Sequence, residues 1–444
     1  MIELPNGWTQ VPIGDVCEVN PRFDKSAVDM TMHISFIPMA AVGEETGSID
    51  ALDHRSVQDL AGKSYRGFLE GDVLVAKITP SMENGKGAVA RGLAGGIGMG
   101  STEFHVLRPT KSIDAEYLLR FVLQPSFRRE ARMHMTGTAG QLRVPASFLA
   151  KSKIPLPPIT EQRRIVDAIE EKFSRIDAGE KALRSCSIRI PLLHRTVIAA
   201  SLLNRKWPIA RWGEVGKTLS GKAFPSGKYS TSGVHLLRPG NLDASGEVIW
   251  SSKATRWLPE SFADSNSKYL LQGRHLLMNL TAQSLADDFL GRVCLSSPSD
   301  RFLLNQRIAM IESNDASNEY LHWVFRSQLF RSFVANLNSG SLIQHISTKQ
   351  LDAFEFPLPP PDDQDQIVSE LEERIDLIDA CEAELAMNER HGPALRRTIL
   401  SQAFLGKLVP QDHEDEPANA LQEHIHAERG SSTARKVTTK KVMA

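Results

Sequence analysis

Cysteine is scarce in this chain, and the four that occur lie far apart without a single CxxC pair. This pattern argues against a disulfide framework and against a cysteine zinc site. A reducing cytoplasm is the compartment that fits such cysteine usage. Long apolar runs are also missing, since none approaches the ~20 residues needed to cross a bilayer. The first ten residues lack the basic and apolar regions of a signal peptide. We therefore expect a cytoplasmic protein with no membrane partner.

Excess charge of one sign is absent too, because 52 Lys and Arg face 53 Asp and Glu, for a net charge of −1. The protein as a whole is no polycation, so any nucleic-acid binding requires local segregation of charge.

Catalytic motifs are the third absence. The stretch Gly213–Thr218 imitates the end of a phosphate-binding loop, but Arg211 stands where that loop requires its first glycine. The glycine-rich stretch 96–100 is followed by Ser101 instead of the last glycine of GxGxxG and is better interpreted as a turn. There is no HExxH, no GxSxG and no Asn/Asp-Pro-Pro-aromatic loop, and the 13 histidines show no ligand spacing. We therefore predict neither a catalytic nor a metal site.

An internal repeat organises what is present. Residues 155–183 and 357–385 match without a gap at an offset of 202, with 14 identities in 29 positions. The match continues where residues 191–203 align with 393–405. We predict front domains at 1–154 and 207–356, helical segments at 155–206 and 357–408, and a partly disordered tail at 409–444 whose last residues, 430–444, are basic.

The front domains alternate short β-type runs with turn signals and contain one helical stretch each, at 117–135 and 320–337. The predicted fold class is α+β: two mixed α/β domains, separated by two long antiparallel helices with coiled-coil character, in a pseudo-two-fold repeat. Pro191 and the pair Gly392-Pro393 should kink or break the two helices at matching points.

Apolar residues seven apart predict that the two helices pack on each other. Segment 159–206 carries 10 basic and 6 acidic residues, whereas segment 361–405 carries 4 and 11, so opposite charge also favours pairing. The alternative is two independently solvated helices. The predicted pairing positions are Ile169, Ile176, Leu183, Leu371, Ile378 and Leu385.

Basic and small polar residues concentrate in the first front domain, within residues 117–153. A loop at 136–143 has a counterpart at 338–345. Hydroxyl and amide groups suit phosphates, while Gln and Arg suit base edges. The alternative is an ordinary solvated helix and loop. The candidate DNA-binding residues are Arg66, Lys77, Lys86, Arg128, Arg129, Arg132, Thr136, Thr138, Gln141, Arg143, Arg238, Asn241, Asn279, Thr281, Gln283, Ser339, Ser341, Gln344 and His345.

Distinctive stretches are EGDVLVAKITP (70–80), GKAFPSGKYSTSGVHLLRPGNL (221–242), both PLPP segments, and LRRTILSQAFLGKLVPQDHEDEPA (395–418). They carry a resemblance, over residues 1–425, to the DNA specificity subunit of type I restriction-modification systems. It implies two target-recognition domains that bind the halves of an asymmetric double-stranded DNA target, with the helices setting the gap between them.

The resemblance further implies a non-catalytic chain that binds no cofactor itself. Two adenine-N6 methyltransferase (M) subunits and two ATP-dependent restriction (R) subunits would be its partners, and S-adenosylmethionine, ATP and Mg²⁺ would bind to those. Two alternative functions exist. One is the recognition part of a fused methyltransferase-nuclease, which needs about 250 further residues of catalytic domain. The other is a scaffold in which DNA plays no part.

Overall fold

The chain folds into two compact units in a computed structural model. Unit 1 holds residues 1–182 and 388–444, and unit 2 holds residues 183–387. The structure describes residues 4–25, 28–60, 62–138, 140–203, 207–283, 288–337, 344–418 and 420. The predicted basic end of the tail, 430–444, lies outside this described part.

Within its described residues, the front part of unit 1 contains ten strands and five short α-helices. Its strands are β1 (Thr9–Pro12), β2 (Cys17–Val19), β3 (His33–Ile37), β4 (Asp53–Ser56), β5 (Arg66–Leu69), β6 (Val73–Ala76), β7 (Gly87–Val89), β8 (Ile97–Gly100), β9 (Phe104–Pro109) and β10 (Lys153–Leu156). Its helices are α1 (Ile13–Val16), α2 (Val57–Leu60), α3 (Ala115–Val122), α4 (Pro125–Met133) and α5 (Ala146–Lys151).

These strands form two four-stranded sheets and one two-stranded ribbon. The sheet orders are β2-β9-β6-β7 and β4-β3-β8-β5, and the ribbon joins β1 to β10. All pairings are antiparallel except β3 with β8. The ribbon ties the start of the domain to the segment just before the long helix, since Thr9 lies opposite Leu156.

The long helix α6 (Ile159–Leu202) follows, and unit 2 then repeats the same plan. Its strands are β11 (Ile209–Arg211), β12 (Gly216–Ser220), β13 (Val234–Leu237), β14 (Arg256–Leu258), β15 (Leu270–Gln272), β16 (Leu276–Asn279), β17 (Thr281–Ala282), β18 (Val293–Leu295), β19 (Arg301–Leu304), β20 (Ile308–Ser313), β21 (Gln344–His345) and β22 (Glu355–Pro357). Its helices are α7 (Trp212–Val215), α8 (Glu260–Ser265), α9 (Asn318–Arg326), α10 (Gln328–Leu337) and α11 (Thr348–Leu351).

The sheets of unit 2 have the strand orders β12-β20-β16-β18 and β14-β13-β19-β15, with a ribbon of β11 and β22. The parallel pair recurs as β13 with β19. The two front domains therefore share one topology, which confirms the internal repeat and the α+β class although their sequences diverge.

The second front domain is followed by α12 (Pro361–Glu389) and α13 (His391–Phe404). The expected break before Pro393 is found, because Arg390 separates the two helices. Of the kink or break expected at Pro191, the break is absent, because α6 runs through that residue as one helix of 44 residues. Pro191 lacks one backbone donor, but the neighbouring helical hydrogen bonds hold the helix together.

Apolar positions on the long helices face inward, as their spacing predicts. Ile169 is fully buried and joins the core that holds Leu400 and Phe404 of α13. Leu371 and Ile378 are buried in the core of unit 2 together with Ile190 of α6. The other predicted positions, which are half-buried, are Ile176, Leu183 and Leu385. Burying one such side chain stabilises the fold by roughly 1.5–3 kcal/mol.

Polar contacts show that α6 and the C-terminal segment run in opposite directions within unit 1. Arg396 of α13 binds the carboxylates of Asp177 and Glu180, near the point where α6 leaves the unit. Further along the chain, Asp415 accepts a hydrogen bond of 2.6 Å from Arg164, near the start of α6. The predicted antiparallel arrangement is present there.

Each helical stretch predicted in the front domains is in fact two helices. Pro125 separates α3 from α4 because the residue before a proline is driven out of the helical region. Ser327, whose ψ is 159°, separates α9 from α10. Tyr117 and Tyr320 are buried at matching positions, and each hydroxyl donates to a proline carbonyl in a ribbon strand. The acceptors are Pro155 of β10 at 2.9 Å and Pro357 of β22 at 2.7 Å.

Candidate nucleic-acid interface

In unit 1 the loop at 136–143, called loop 1, folds back on itself and lies against the end of β6. Backbone hydrogen bonds of 3.0 and 2.9 Å join Thr136 to Arg143, and the Gln141 N–H donates to the Thr138 carbonyl at 2.9 Å. The Thr79 N–H then donates to the Leu142 carbonyl at 3.0 Å. Loop 1 is therefore anchored to the segment that holds Lys77, and the side chains of Thr136, Thr138 and Gln141 are exposed.

A carboxylate joins the cations beside loop 1. Glu103 accepts two hydrogen bonds of 2.9 Å from Arg143, and Lys77 Nζ lies 4.0 Å from it. The bond from Arg143 lowers the pKa of Glu103 below its ordinary value. Burial lowers the pKa of Lys77, and the charges of Arg66 and Arg143 lower it further. Since Arg143 and Lys77 share one carboxylate and the charge of Arg66 acts on Lys77, this corner keeps a positive charge that suits a phosphate.

His105 contacts the backbone next to Arg143. It is buried, its Nε2 lies 2.8 Å from the Val144 carbonyl, and its Nδ1 lies 3.0 Å from the Asn20 amide nitrogen. Burial lowers the pKa of His105 to about 4, so the ring is neutral near pH 7. We infer that Nε2 carries the proton because it faces a carbonyl oxygen.

The arginines of α4 differ in their surroundings. Arg128 is largely buried and donates to the Glu83 and Leu123 carbonyls and to the Glu45 carboxylate. Arg132 is 71% exposed and pairs with Glu83 at 2.8 Å, whereas Arg129 is exposed. The Arg128 guanidinium ties α4 to the loop after β6, and its contact with DNA stays a prediction.

Arg331 of unit 2 corroborates this structural role of Arg128. It stands at the equivalent position of α10 and donates to four carbonyls, those of Asp288, Leu290, Gly291 and Phe325, at 2.7–3.1 Å. An arginine that fastens the same helix to the same loop in both units is a packing residue. The DNA contact of its neighbours Arg129 and Arg132 stays a prediction.

Further candidates are Lys86 in unit 1 and the residues around β17 in unit 2. Lys86 is half-buried and reaches the Met39 carbonyl at 3.4 Å. In unit 2, β17 pairs with β21 so that Thr281 lies opposite His345, and Gln344 lies opposite Ala282. The described end of the counterpart of loop 1, Gln344 and His345, is thus also paired with a strand. Gln283 and His345 are exposed there, and Thr281 and Gln344 are half-buried. Ser339 and Ser341 lie outside the described residues.

Two candidates are buried instead of exposed. Asn241 accepts from the Arg238 N–H at 3.0 Å and donates to the Ile249 carbonyl at 3.1 Å. Asn279 donates to the carbonyls of Thr281 and Phe289 at 2.9 Å. Both side chains are at most 1% exposed, so the expectation that they present polar groups at the surface is wrong. Their amides instead satisfy buried backbone groups, which would otherwise lose a hydrogen bond each.

Sequence reasoning missed the carboxylates of this region and kept only its cations. Glu45, Glu83 and Glu103 each hold an arginine that was taken for a DNA ligand. Their partners are 83, 49 and 40 residues away, so no local spacing reveals them. The repeat itself contained one usable signal, because Arg128 and Arg331 align at an offset of 203. Arg238, the remaining candidate, is half-buried with its guanidinium 5.9 Å from the Tyr229 ring.

Within the described residues, no helix is both long enough and apolar enough to pass through a lipid bilayer.

Comparison with known proteins gives one consistent result. A family model described as the type I restriction modification DNA specificity domain matches the chain twice, over residues 5–184 and 204–386. The specificity subunit of the type I restriction enzyme EcoAI from Escherichia coli is 28% identical, over 84% of this chain and 78% of its own length. That of EcoKI, from strain K12, is 25% identical over 99% of both chains.

Solved structures agree on the fold. The crystal structure of the HsdS subunit from Thermoanaerobacter tengcongensis has a TM-score of 0.69 and 21% identity, and the match covers 91% of this chain and 98% of that one. At this identity the likeness concerns the fold alone.

Proposed function

The chain belongs to the type I restriction-modification DNA specificity family, and from that premise we propose that each of its two units reads one half of a split double-stranded DNA target. Target recognition on DNA follows from the family. The division into halves is our inference from the repeat, because the two front domains share a topology and differ in the side chains at their loops.

One observation carries this proposal. In unit 1, loop 1 is held by a backbone hydrogen bond from the Thr79 N–H to the Leu142 carbonyl, just after β6. In unit 2, the described end of its counterpart is held by strand pairing, with Thr281 of β17 opposite His345 of β21. The scaffold is therefore repeated while the residues displayed on it change: Gln141 and Arg143 in one unit, Gln344 and His345 in the other. Two similar platforms with different side chains suit two different base sequences.

Exchange of one front domain tests the division. Residues 1–153 are replaced by the equivalent part of a related specificity subunit, and the methylated sites in the host are mapped by long-read sequencing. We expect one half of the site to change and the other to stay. A hybrid in which both halves change, or neither, contradicts independent recognition.

We further propose that the chain catalyses nothing and recruits two M and two R subunits, which would bind S-adenosylmethionine, ATP and Mg²⁺. The long helices offer a surface for such partners. Ile188 and Leu192 of α6 are 73% and 66% exposed, and they lie one helical turn apart on one face. Adjacent exposed apolar residues of this size are typical of contact sites between proteins. Ile188→Ser with Leu192→Ser should weaken co-purification of the M subunit, and unchanged co-purification would place the contact elsewhere.

The helices would also set the gap between the half-sites. Insertion of one turn near residue 184, matched by one near residue 386, adds about 6 Å to each helix. On duplex DNA this corresponds to one or two base pairs at roughly 3.4 Å each. The mapped sites should then keep both half-sequences and change their gap. An unchanged gap would mean that the partner subunits set the spacing.

A further inference from the structure

A cavity of about 280 Å³ lies in unit 2 between the later part of α6 and the second front domain. Its charged lining consists of four arginines and His194 against a single carboxylate, that of Asp288. The arginines are Arg195, Arg292, Arg326 and Arg331. Gln344 and His345, the described residues of the loop 1 counterpart, are not among these lining residues.

Two of these arginines are held without a carboxylate partner within the described residues. Arg326 Nη1 donates to the Ser245 carbonyl at 2.7 Å and lies 2.9 Å from His322 Nε2. Arg331 uses both terminal nitrogens on backbone carbonyls. Burial lowers the pKa of Arg331 to about 10; the carboxylate of Asp288 opposes this shift, and the positive charges of Arg292, Arg195 and Arg326 act in the same direction as burial. Cations that repel one another in a partly desolvated place favour the arrival of an anion.

The one lining carboxylate is a weak counter-ion. Asp288 lies 3.5 Å from Arg195, and both side chains are more than half exposed. Such exposed pairs contribute little and exchange readily with solvent ions. His194 is directed to Asp379 at 3.0 Å. Among the described lining residues, an entering anion therefore competes with one exposed, loosely paired carboxylate.

The repeat supplies an internal comparison in unit 1. The equivalent cavity there is lined by Arg120, Arg128, Arg396 and Arg397, with Pro393 where unit 2 has Pro191. Three of the four are neutralised by carboxylates: Arg120 by Glu116, Arg128 by Glu45, and Arg396 by Asp177 and Glu180.

The space differs as well as the charge. The unit 1 cavity measures about 30 Å³, against about 280 Å³ in unit 2. Since one water centre needs about 10–15 Å³, the first holds roughly two waters, and the second is far larger. The unit 1 cavity is thus small and most of its arginines pair with carboxylates, whereas the unit 2 cavity is larger and has one carboxylate, that of Asp288, among its described lining residues.

We propose that the open cavity of unit 2 binds a phosphate group. Arg195 at the mouth and Arg326 inside would donate hydrogen bonds to its oxygens, while Arg292 and Arg331 would supply positive potential. The planar guanidinium suits a tetrahedral oxyanion with several acceptor oxygens, and charge-assisted bonds of this kind are the strong ones. The phosphate group can come from the DNA backbone or from free inorganic phosphate, because the recognising chemistry is the same.

The first arm of the test uses inorganic phosphate and no DNA. Binding to the full chain is measured by calorimetry at constant ionic strength, for the wild type, Arg195→Gln and Arg326→Gln. Arg397→Gln is the matched control, because Arg397 occupies the equivalent, exposed position of α13 at the neutralised cavity. We expect wild type and control to bind alike and the two unit 2 variants to lose at least tenfold in affinity. Arg195 is exposed, so its substitution should leave the fold intact.

The second arm uses duplex DNA that carries the mapped target. If the bound phosphate belongs to the DNA backbone, Arg195→Gln should reduce the slope of log K against log salt by about 0.9, and Arg397→Gln should not. Phosphate binding with an unchanged salt slope assigns the site to free phosphate. A slope change without free-phosphate binding assigns it to the DNA backbone.

The proposal is overturned if wild type binds no phosphate and the salt slope of Arg195→Gln is unchanged, or if Arg397→Gln behaves like Arg195→Gln in both arms. It rests on the proposed function only in its DNA arm. A chain that binds phosphate but shows no specific DNA binding in any variant would contradict the proposed function and leave the oxyanion site standing.

Discussion

Gln162 and Gln364, which stand 202 residues apart, make the same three hydrogen bonds in the two units. Each amide nitrogen donates to two backbone carbonyls, and each amide oxygen accepts a hydrogen bond from the N–H of the N-cap residue of a front-domain helix, α3 in unit 1 and α9 in unit 2. The partners are Ser112, Pro157 and Asp114 in unit 1 at 2.8–2.9 Å, and Asp315, Pro359 and Ser317 in unit 2 at 2.8–2.9 Å. One buried side chain thus fastens each long helix to its front domain.

Replacement of either glutamine should destabilise its own unit. Gln162→Leu or Gln364→Leu leaves three backbone groups without partners, and each unsatisfied buried group costs about 1–3 kcal/mol. Urea denaturation followed by fluorescence should show one transition shifted and the other retained. Gln366→Ala is the control, because Gln366 is exposed on the same helix and bonds only Glu370. An equal loss in that control would contradict the role assigned to the buried amides.

Unit 1 should lose stability as the pH falls below 6.5, because of His105. Burial lowers the pKa of this histidine from 6.5 to about 4, so the unfolded chain takes up a proton before the folded one does. Stability present at neutral pH is therefore lost progressively between about 6.5 and 4, by an amount on the order of 3 kcal/mol.

The measurement is urea denaturation of wild type and His105→Gln at several pH values. Glutamine does not titrate, so the variant should show a flatter pH dependence in this window. His54→Gln, which changes an exposed histidine of the same unit, serves as the control and should follow the wild type. Parallel profiles for wild type and His105→Gln would refute the assignment.

Arg129 should contribute to DNA affinity without contributing to stability. It is exposed on α4, whereas its neighbour Arg128 is tied to Glu45 and two carbonyls. Arg129→Gln should weaken DNA binding and reduce the salt slope by about 0.9, as expected for one lost phosphate contact. Fluorescence anisotropy over a salt series measures this. Lys111→Gln, which changes an exposed cation outside loop 1, should leave the salt slope unchanged. A salt slope of Arg129→Gln equal to that of wild type would mean that Arg129 is a solvated surface residue without a DNA contact.

Arg396 and Glu180 should be energetically coupled. Their 2.8 Å contact is partly buried, with 23% and 31% of the side chains exposed, and Asp177 adds a second carboxylate. A double-mutant cycle with Arg396→Met and Glu180→Gln should give a coupling energy of about 1 kcal/mol. The exposed pair Arg175 and Glu171, at 77% and 71%, should give roughly 0.3–0.5 kcal/mol at most. Equal coupling in the two cycles would mean that burial adds nothing to the contact between α6 and α13.

Much of the architecture was readable from the sequence. The 202-residue offset and the strand signals foretold two equivalent α+β domains, and the seven-residue spacing of Ile169, Ile176 and Leu183 identified the inward face of α6. These features are local, because backbone geometry sets the helical and strand periods. Pro191 shows where such reasoning fails: a proline inside a long helix is tolerated when the neighbouring helical hydrogen bonds hold the helix together.

The candidate site was predictable only in part, because it depends on contacts between distant segments. Loop 1 and its counterpart could be located from composition and repetition. The burial of Asn241 and Asn279 could not, since turn residues look alike in sequence whether their amides face water or close a backbone bond.

The sequence by itself determined the repeat, the helical stripes and the family, all of which rest on residue order and spacing. The tertiary structure alone decided which cations are available. Arg128 and Arg129 are neighbours in the chain, yet one is held by Glu45, 83 residues away, and the other faces solvent. Likewise, only the packed units reveal that carboxylates pair with three of the four arginines of one cavity, whereas Asp288 is the one carboxylate among the described lining residues of its repeat. Charge pairing acts over a few ångströms in space, and the folded chain sets that distance.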